Sequence, residues 1–164
     1  MAPSLNLTRN CGLKMDRQVS LSWQGTGVTD TGLARQTNQD AFVVDNNLGL
    51  WIVADGMGGH AGGGTASQLA VKAVTDHVVS SAVSSPDFNS RIDQVKELLR
   101  SAVAVADSLI RAAADTTPDL KGMGTTVVIG LFCPGPEPSI ALAHIGDSRA
   151  YLIRARCISA LTTD

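Results

Sequence analysis

Residues 40–55 read DAFVVDNNLGLWIVAD. Two short runs rich in valine, isoleucine and aromatic residues flank the turn-forming residues 46–49, and this pattern predicts a β-hairpin. If the turn centres between Asn47 and Leu48, Val44 faces Trp51 and Asp40 faces Asp55. Facing residues in a hairpin point to the same side of the sheet, with Cβ atoms about 4.5–5.5 Å apart. The stretch therefore predicts two carboxylates side by side at the open end of the hairpin.

Two neighbouring carboxylates repel each other, so either one of them takes a proton or a cation lies between them. Mg²⁺ and Mn²⁺ prefer oxygen ligands and fit this arrangement. The alternative is a solvated hairpin end that carries two unrelated charges. A register shift of one residue would place Asp40 and Asp55 on opposite faces and would remove the argument.

The rest of the chain alternates less regularly, with strands grouped at both ends and helices between them. The long helix predicted over 89–114 carries one apolar stripe, which indicates a core-facing side. Grouped strands and helices favour an α+β fold of antiparallel sheets, and the apolar runs around Asp55 predict a sheet buried on both faces. The other predicted elements are strands at 21–29, 125–133, 139–145 and 149–154, a glycine loop at 56–64 and a helix at 65–79.

Composition sets limits on the class of protein. The 164 residues are 44% hydrophobic with a net charge of −2, which gives no electrostatic reason to expect nucleic acid or a membrane as partner. The three cysteines are scattered and odd in number, which favours a reducing cytoplasm over a disulfide framework. Residues 1–20 are polar and unpatterned, so we expect them to be disordered or a mis-assigned extension, with Met15 as an alternative start.

Several motifs follow one another along the chain: TDTGLARQTNQDA at 29–41, VADGMGGH at 53–60, GTT at 124–126, HIGDSRAY at 144–151 and LTTD at 161–164. In this order and at these separations, residues 25–164 resemble the metal-dependent protein phosphatases of type 2C in their bacterial form. The resemblance implies a four-layer α-β-β-α sandwich of antiparallel sheets flanked by helices. It also implies a protein serine/threonine phosphatase that acts on phosphoserine and phosphothreonine proteins, the products of a kinase.

The resemblance carries the family's site onto particular residues. Asp40, Asp55 and the carbonyl of Gly56 fall on metal-ligand positions, Asp147 on the aspartate of a third, weaker ion, and Arg35 on the arginine that holds the substrate phosphate. The cofactors implied are two or three Mn²⁺ or Mg²⁺ ions. Two such ions can share a water and lower its pKa, and the resulting hydroxide attacks phosphorus directly. A planar guanidinium suits phosphate oxygens.

Two histidines and the glycine run allow more than one interpretation. His60 is a candidate general acid for the leaving oxygen, although we favour a role in ordering the site through a hydrogen bond. For His144, at a strand end, a structural role is the expectation. The run 56–59 could cradle a phosphate, but it lacks the patterns of nucleotide-binding loops. We therefore interpret it as backbone that approaches a metal and begins a helix.

The chain also departs from the family pattern. Gln39 and Gly64 stand where glutamate is usual, and Ala155-Arg156 replaces a turn of the Asp-Gly type, so we expect an altered hairpin there. The family continues beyond Asp164 with two more aspartates of the site. We therefore expect residues 21–164 to be the N-terminal part of a C-terminally truncated phosphatase domain that is unstable or weakly active alone. We also expect a monomer. The alternative is a non-catalytic regulatory or binding module.

Overall fold

The computed structural model describes residues 23–85, 87–89, 91–134 and 138–163, without the side chains of 59–61. The prediction for residues 1–20 lies outside these ranges, as does Asp164. Two long helices stand between two groups of strands. The elements are β1 (Asp40–Asp45), β2 (Leu50–Met57), α1 (Gly59–Ser84), α2 (Ile92–Thr116), a 3₁₀ turn (Pro118–Leu120), β3 (Gly124–Thr125), β4 (Val127–Cys133), β5 (Ser139–Ile145), β6 (Tyr151–Arg154) and β7 (Cys157–Ala160).

The strands form two antiparallel sheets. The larger one has the order β1-β2-β4-β5, with the short β3 also paired to β2, and the smaller one is the hairpin β6-β7. The predicted register of the first hairpin is confirmed, because Asp40 pairs with Asp55 and Val44 with Trp51. The α+β prediction is confirmed as well. Among the described elements we find three of the four layers of the predicted sandwich, namely the helices, the larger sheet and part of a second sheet.

The core lies between the larger sheet and the two helices. Every second residue of β2 is buried on this side, and β4 contributes four more apolar side chains. In α2 the apolar stripe is confirmed for its middle, where Val95, Leu99, Ala102 and Ala106 are buried. It was wrong for three other members of the predicted stripe, Ile92, Val105 and Leu109, which are 37%, 40% and 47% exposed. No helix in the described part of the chain is long and apolar enough to cross a membrane.

Helix α1 is longer than the sequence pattern predicts. It begins at Gly59, inside the predicted loop 56–64, and it runs on to Ser84 instead of ending near Val79. Its first turns pack so closely on the sheet end that a side chain would collide there. A Cβ on Gly63 would lie 2.5 Å from Gln39 Oε1, and one on Gly62 would lie 3.0 Å from Met123 Cβ. These glycines therefore allow the helix to approach the sheet rather than forming a loop.

The predicted first strand is not a strand in its described part. Residues 23–29 have no regular secondary structure and lie against the face of the sheet that the helices leave open. The side chain of Asn46 accepts a hydrogen bond from the Gly25 amide at 2.7 Å, in place of a strand partner. A Cβ on Gly25 would overlap the Trp51 ring, and one on Gly27 would overlap the Phe42 ring. The segment therefore packs on the sheet face instead of extending its edge.

The turn of the smaller sheet keeps hairpin geometry despite its unusual sequence. Arg154 pairs with Cys157, so Ala155 and Arg156 form a two-residue connection. Their φ angles are 49° and 65°, both in the left-handed region. The expectation of an altered hairpin was therefore wrong. Strand pairing on both sides holds the turn, and two L-residues adopt a backbone conformation that normally favours glycine or asparagine.

Candidate metal and phosphate site

The two paired carboxylates lie on the sheet face opposite the helices. In β2, Leu50, Ile52 and Ala54 are buried against the helices, so the alternate residues Val53 and Asp55 point to the other side. Asp40 faces Asp55 directly, and it therefore shares that side. We call this side the outer face of the larger sheet. The carboxylates lie at its end, where β1 begins and β2 approaches α1.

Neighbouring polar residues orient Asp40. Asn38 accepts a hydrogen bond from the Asp40 amide through its Oδ1 at 2.9 Å, and its Nδ2 donates to the Thr29 hydroxyl at 2.7 Å. Thr29 Oγ1 in turn lies 3.4 Å from Asp40 Oδ2. The loop before β1 thus holds both the backbone and the carboxylate of Asp40.

The backbone around Asp55 is held from two sides. The Asp55 amide donates to Thr126 Oγ1 at 3.1 Å, and the Asp55 carbonyl accepts the Thr125 hydroxyl at 3.0 Å. The carbonyl of Gln39 accepts the Gly56 amide at 3.2 Å and also the buried hydroxyl of Ser67 at 2.6 Å. Through Ser67, helix α1 therefore contacts the same carbonyl that joins the two chain segments carrying the aspartates.

The electrostatics of the pair agree with the repulsion expected from its geometry. Partial burial raises the pKa of Asp55 above 3.8, and the nearby Asp40 raises it further through its charge and a hydrogen bond between the two side chains. The charge of Arg35 opposes this rise in pKa, whereas that of Asp147 adds to it. Without a cation, the neighbouring charge and the partial burial both disfavour the ionised form of Asp55.

A cavity of about 500 Å³ opens beside the pair and gathers most of the predicted site residues. Its wall includes Arg35, Asp55, Gly56, Thr126 and Asp147. Asp40 lines instead an adjoining apolar groove of about 570 Å³ under residues 23–29. Three kinds of chemical group that bind phosphate or metal thus line one cavity, namely a guanidinium, carboxylates and a backbone carbonyl.

The two histidines are placed differently. His60 lies in the first turn of α1, close in sequence to the cavity-lining Gly58, and its side chain is not described. His144 lies on β5 opposite Val128, half-buried, and is not among the residues that line the 500 Å³ cavity. The structural role expected for His144 stays a prediction, as does either role for His60.

A divalent ion fits the chemistry of the carboxylate pair, but the described residues give it few ligands. Asp40 and Asp55 offer hard anionic oxygens, which are the ligands that Mn²⁺ and Mg²⁺ take in proteins. No group of three or more His, Cys, Asp and Glu side chains that could hold a metal occurs within the described ranges. An ion held at this pair would therefore need further oxygen donors.

Helices cover one face of an antiparallel sheet, and paired aspartates lie beside a cavity lined by Arg35 at the end of the other face. These features define an α+β protein with an acidic site at one end of its larger sheet. Residues 30–163 match the family model described as protein phosphatase 2C. The chain belongs to this family.

Named relatives agree with this assignment. The serine/threonine protein phosphatase PstP of Mycobacterium tuberculosis is 36% identical over 147 residues, which are 90% of this chain and 26% of PstP. The serine/threonine phosphatase stp of Listeria monocytogenes is 33% identical over 139 residues, 83% of this chain and 52% of that protein. The chain thus spans between a quarter and about half of the length of these relatives.

Solved structures show the same fold. The crystal structure of M. tuberculosis PstP superimposes with a TM-score of 0.67 at 36% identity, over 82% of this chain and 52% of that one. A second structure, the PstP catalytic domain in complex with two manganese ions, gives a TM-score of 0.64 over 82% of this chain and 53% of that one. The crystal structure of a bacterial serine phosphatase gives 0.70 at 32% identity, over 84% of this chain and 53% of that one.

Sequence reasoning assigned no role to the hydroxyl residues that surround the aspartates. Thr126 and Ser148 bond to each other at 2.7 Å although 22 positions separate them, and Ser67 reaches the carbonyl that precedes Asp40. The GTT and GDS motifs contain two of these residues, so the motifs were the available signal. Ser67 lies in a helix without any such motif, and only the tertiary structure reveals its contact.

Proposed function

We propose that this chain forms part of a protein serine/threonine phosphatase, with its site at the end of the outer face. The observation that carries the proposal is the pairing of Asp40 with Asp55 beside a cavity lined by Arg35 and Asp147. The names of the relatives support the same reaction class. The substrates would be phosphoserine and phosphothreonine proteins.

Asp40, Asp55 and the Gly56 carbonyl are the proposed ligands of a divalent ion, with Asp147 as a ligand of a further ion. Such an ion supplies a water of lowered pKa that can attack phosphorus at neutral pH. The chain's own contribution is to hold two carboxylates side by side and to fix their backbone through Asn38 and Thr126. The manganese in the related PstP structure makes Mn²⁺ the first ion to test.

Arg35 is the proposed phosphate-binding residue. It lines the same cavity as Asp55, and its charge opposes the rise in the pKa of that carboxyl, which supports an electrostatic interaction between the two side chains. A guanidinium fork can bind two phosphate oxygens and neutralise the charge that develops on them. The cavity of about 500 Å³ has room for a phosphorylated side chain. His60 is proposed to order this site rather than to transfer a proton.

The test is hydrolysis of a phosphothreonine peptide by the purified chain with Mn²⁺, with EDTA, and in the Asp55→Asn variant. We expect weak Mn²⁺-dependent hydrolysis that EDTA abolishes and that the variant lowers at least about tenfold. Asp87→Asn is the matched control, because Asp87 follows the far end of α1, about 39 Å along that helix. Equal rates in EDTA and in Mn²⁺ would contradict the metal mechanism.

One observation favours a second function, that of a binding module. The described residues offer two paired carboxylates and no larger metal-ligating group, which is fewer than a hydrolytic centre commonly uses. A module of this kind would bind the phosphopeptide with Mn²⁺ and release it unchanged. Binding measured by fluorescence anisotropy, together with the absence of hydrolysis, would select this function over the first. A cytoplasmic location and a monomer remain predictions from the sequence.

A further inference from the structure

Thr126 lies at the point where the chain passes from β3 to β4. Gly56 pairs with Thr125 and Val53 with Val128, so the register places Thr126 opposite Asp55. Both main-chain polar groups of Asp55 bond to this one residue. The Thr126 amide donates to the Asp55 carbonyl at 2.9 Å, and the Thr126 hydroxyl accepts the Asp55 amide at 3.1 Å.

The same side chain also contacts the turn that carries Asp147. Thr126 Oγ1 lies 2.7 Å from Ser148 Oγ, at hydrogen-bond distance. Its methyl group fills the space that a side chain at residue 146 would need, because a Cβ on Gly146 would lie 2.8 Å from Thr126 Cγ2. Gly146 has a φ of 89°, so the turn itself depends on glycine. Thr126 thus contacts both neighbours of Asp147.

We propose that Thr126 is a positioning residue that fixes Asp55 and Asp147 relative to each other across the 500 Å³ cavity. The Thr126 hydroxyl can accept a hydrogen bond from the Asp55 amide and form a second hydrogen bond with the Ser148 hydroxyl. It is the one group that takes part in both contacts. The consequence for ion or phosphate binding rests on the proposed function. The hydrogen bonds that link the segments carrying Asp55 and Asp147 do not depend on the proposed function.

The direct test removes the hydroxyl and keeps the shape, in the variant Thr126→Val. We expect the amide of Asp55 to exchange with solvent at least about tenfold faster, and its resonance and that of Asp147 to shift, in ¹⁵N–¹H spectra recorded without metal. Thr126→Ser keeps the hydroxyl and should restore both. Thr75→Val is the matched control, since that hydroxyl bonds only within α1, to the Val71 carbonyl. Unchanged Asp55 protection in Thr126→Val would overturn the proposal.

A second variant decides the matter if Thr126→Val does not fold. Ser148→Ala removes one partner of the Thr126 hydroxyl and leaves the β2–β4 ladder intact. We expect the Asp55 amide resonance to move together with that of Asp147, because both depend on one hydroxyl. A response confined to residues 146–149 would show that the two segments are independent and would overturn the proposal.

Mn²⁺ titration of the same variants tests whether the hydrogen bonds of Thr126 affect ion binding at the site. Thr126→Val should lower Mn²⁺ affinity about 10–100-fold, as loss of a group that orients a ligand commonly does, and Thr126→Ser should recover most of it. Failure of the wild-type chain to bind Mn²⁺ would count against the proposed function alone, since the amide measurements need no metal. Loss of affinity in Thr126→Ser equal to that in Thr126→Val would count against the role of the hydroxyl.

Discussion

The two faces of the larger sheet are built by the same strands and differ in what covers them. On the helix side, Leu50, Ile52 and Ile129 are at most 1% exposed. On the outer face, Val53 and Ile140 are 52% and 53% exposed, although Val53 stands between the buried Ile52 and Ala54. The first face serves the stability of the fold, whereas the second carries the aspartate pair at its end.

This difference bears on how the site is built. The helix-side packing fixes the strands, and therefore fixes Asp40 and Asp55 on the opposite side, without taking part in the site itself. The described residues cover the outer face only in part, through residues 23–29 and the hairpin β6-β7. The prediction of a sheet buried on both faces therefore holds for one face within the described ranges. Both aspartates are exposed at the end of this face.

Truncation of neighbouring residues on the two faces should give the largest contrast. Ile52→Ala leaves a cavity in the core, and we expect it to lower the free energy of unfolding by about 2–5 kcal/mol. Val53→Ala, one residue later on the outer face, should cost less than about 1 kcal/mol because the side chain is half exposed. Urea denaturation followed by circular dichroism measures both. Similar losses in the two variants would show that the outer face is packed as tightly as the core.

The features that the sequence predicted correctly are those that depend on local pattern. The first hairpin and its register follow from turn residues and alternation within 16 positions, so the pairing of Asp40 with Asp55 could be predicted. The buried positions of α2 follow in the same way from helical spacing. The family motifs in turn pointed to Arg35 and Asp147, which line one cavity with Asp55.

The predictions that were wrong concern features that depend on contacts between distant parts of the chain. Glycine normally favours a loop, and only the contacts of Gly62 and Gly63 with Met123 and Gln39 explain why α1 already runs through them. Similarly, no local signal shows that residues 23–29 lie on the sheet face. The bond between Asp55 and Thr126 spans 71 positions, so its role could not be predicted from either neighbourhood alone.

A smaller effect is expected at the turn of the exposed hairpin. Replacing Ala155 by Asn and Arg156 by Gly supplies residues that adopt positive φ readily, and the pair should stabilise the protein by about 1–2 kcal/mol. Arg154→Gly is the matched control. It makes the same replacement in β6, where glycine weakens a strand, and it should destabilise by about 0.5–1 kcal/mol. Thermal unfolding compares them, and a destabilised double variant would mean that Arg156 makes contacts worth more than the backbone strain.

The smallest effect concerns the charge on the outer face without metal. Because the pKa of Asp55 is raised in the folded state, the folded chain binds more protons there than the unfolded chain does, and its stability falls as pH rises from 3.8 through the raised pKa. Asp55→Asn removes this dependence. In EDTA above that window we expect the variant to be more stable than the wild type, by less than about 1 kcal/mol because solvent screens exposed carboxylates.

Added Mn²⁺ should reverse the order of stability, so that the wild type becomes more stable than Asp55→Asn. An ion between Asp40 and Asp55 stabilises the ionised pair, whereas an amide at position 55 is a weaker ligand. Urea denaturation across the pH window, with EDTA and with Mn²⁺, measures both orders, and Asp87→Asn again serves as the control. If the variant stays the more stable protein in Mn²⁺, the ion does not bind at the pair. The carboxylates would then contribute only repulsion to the outer face, because no ion would offset their charges there.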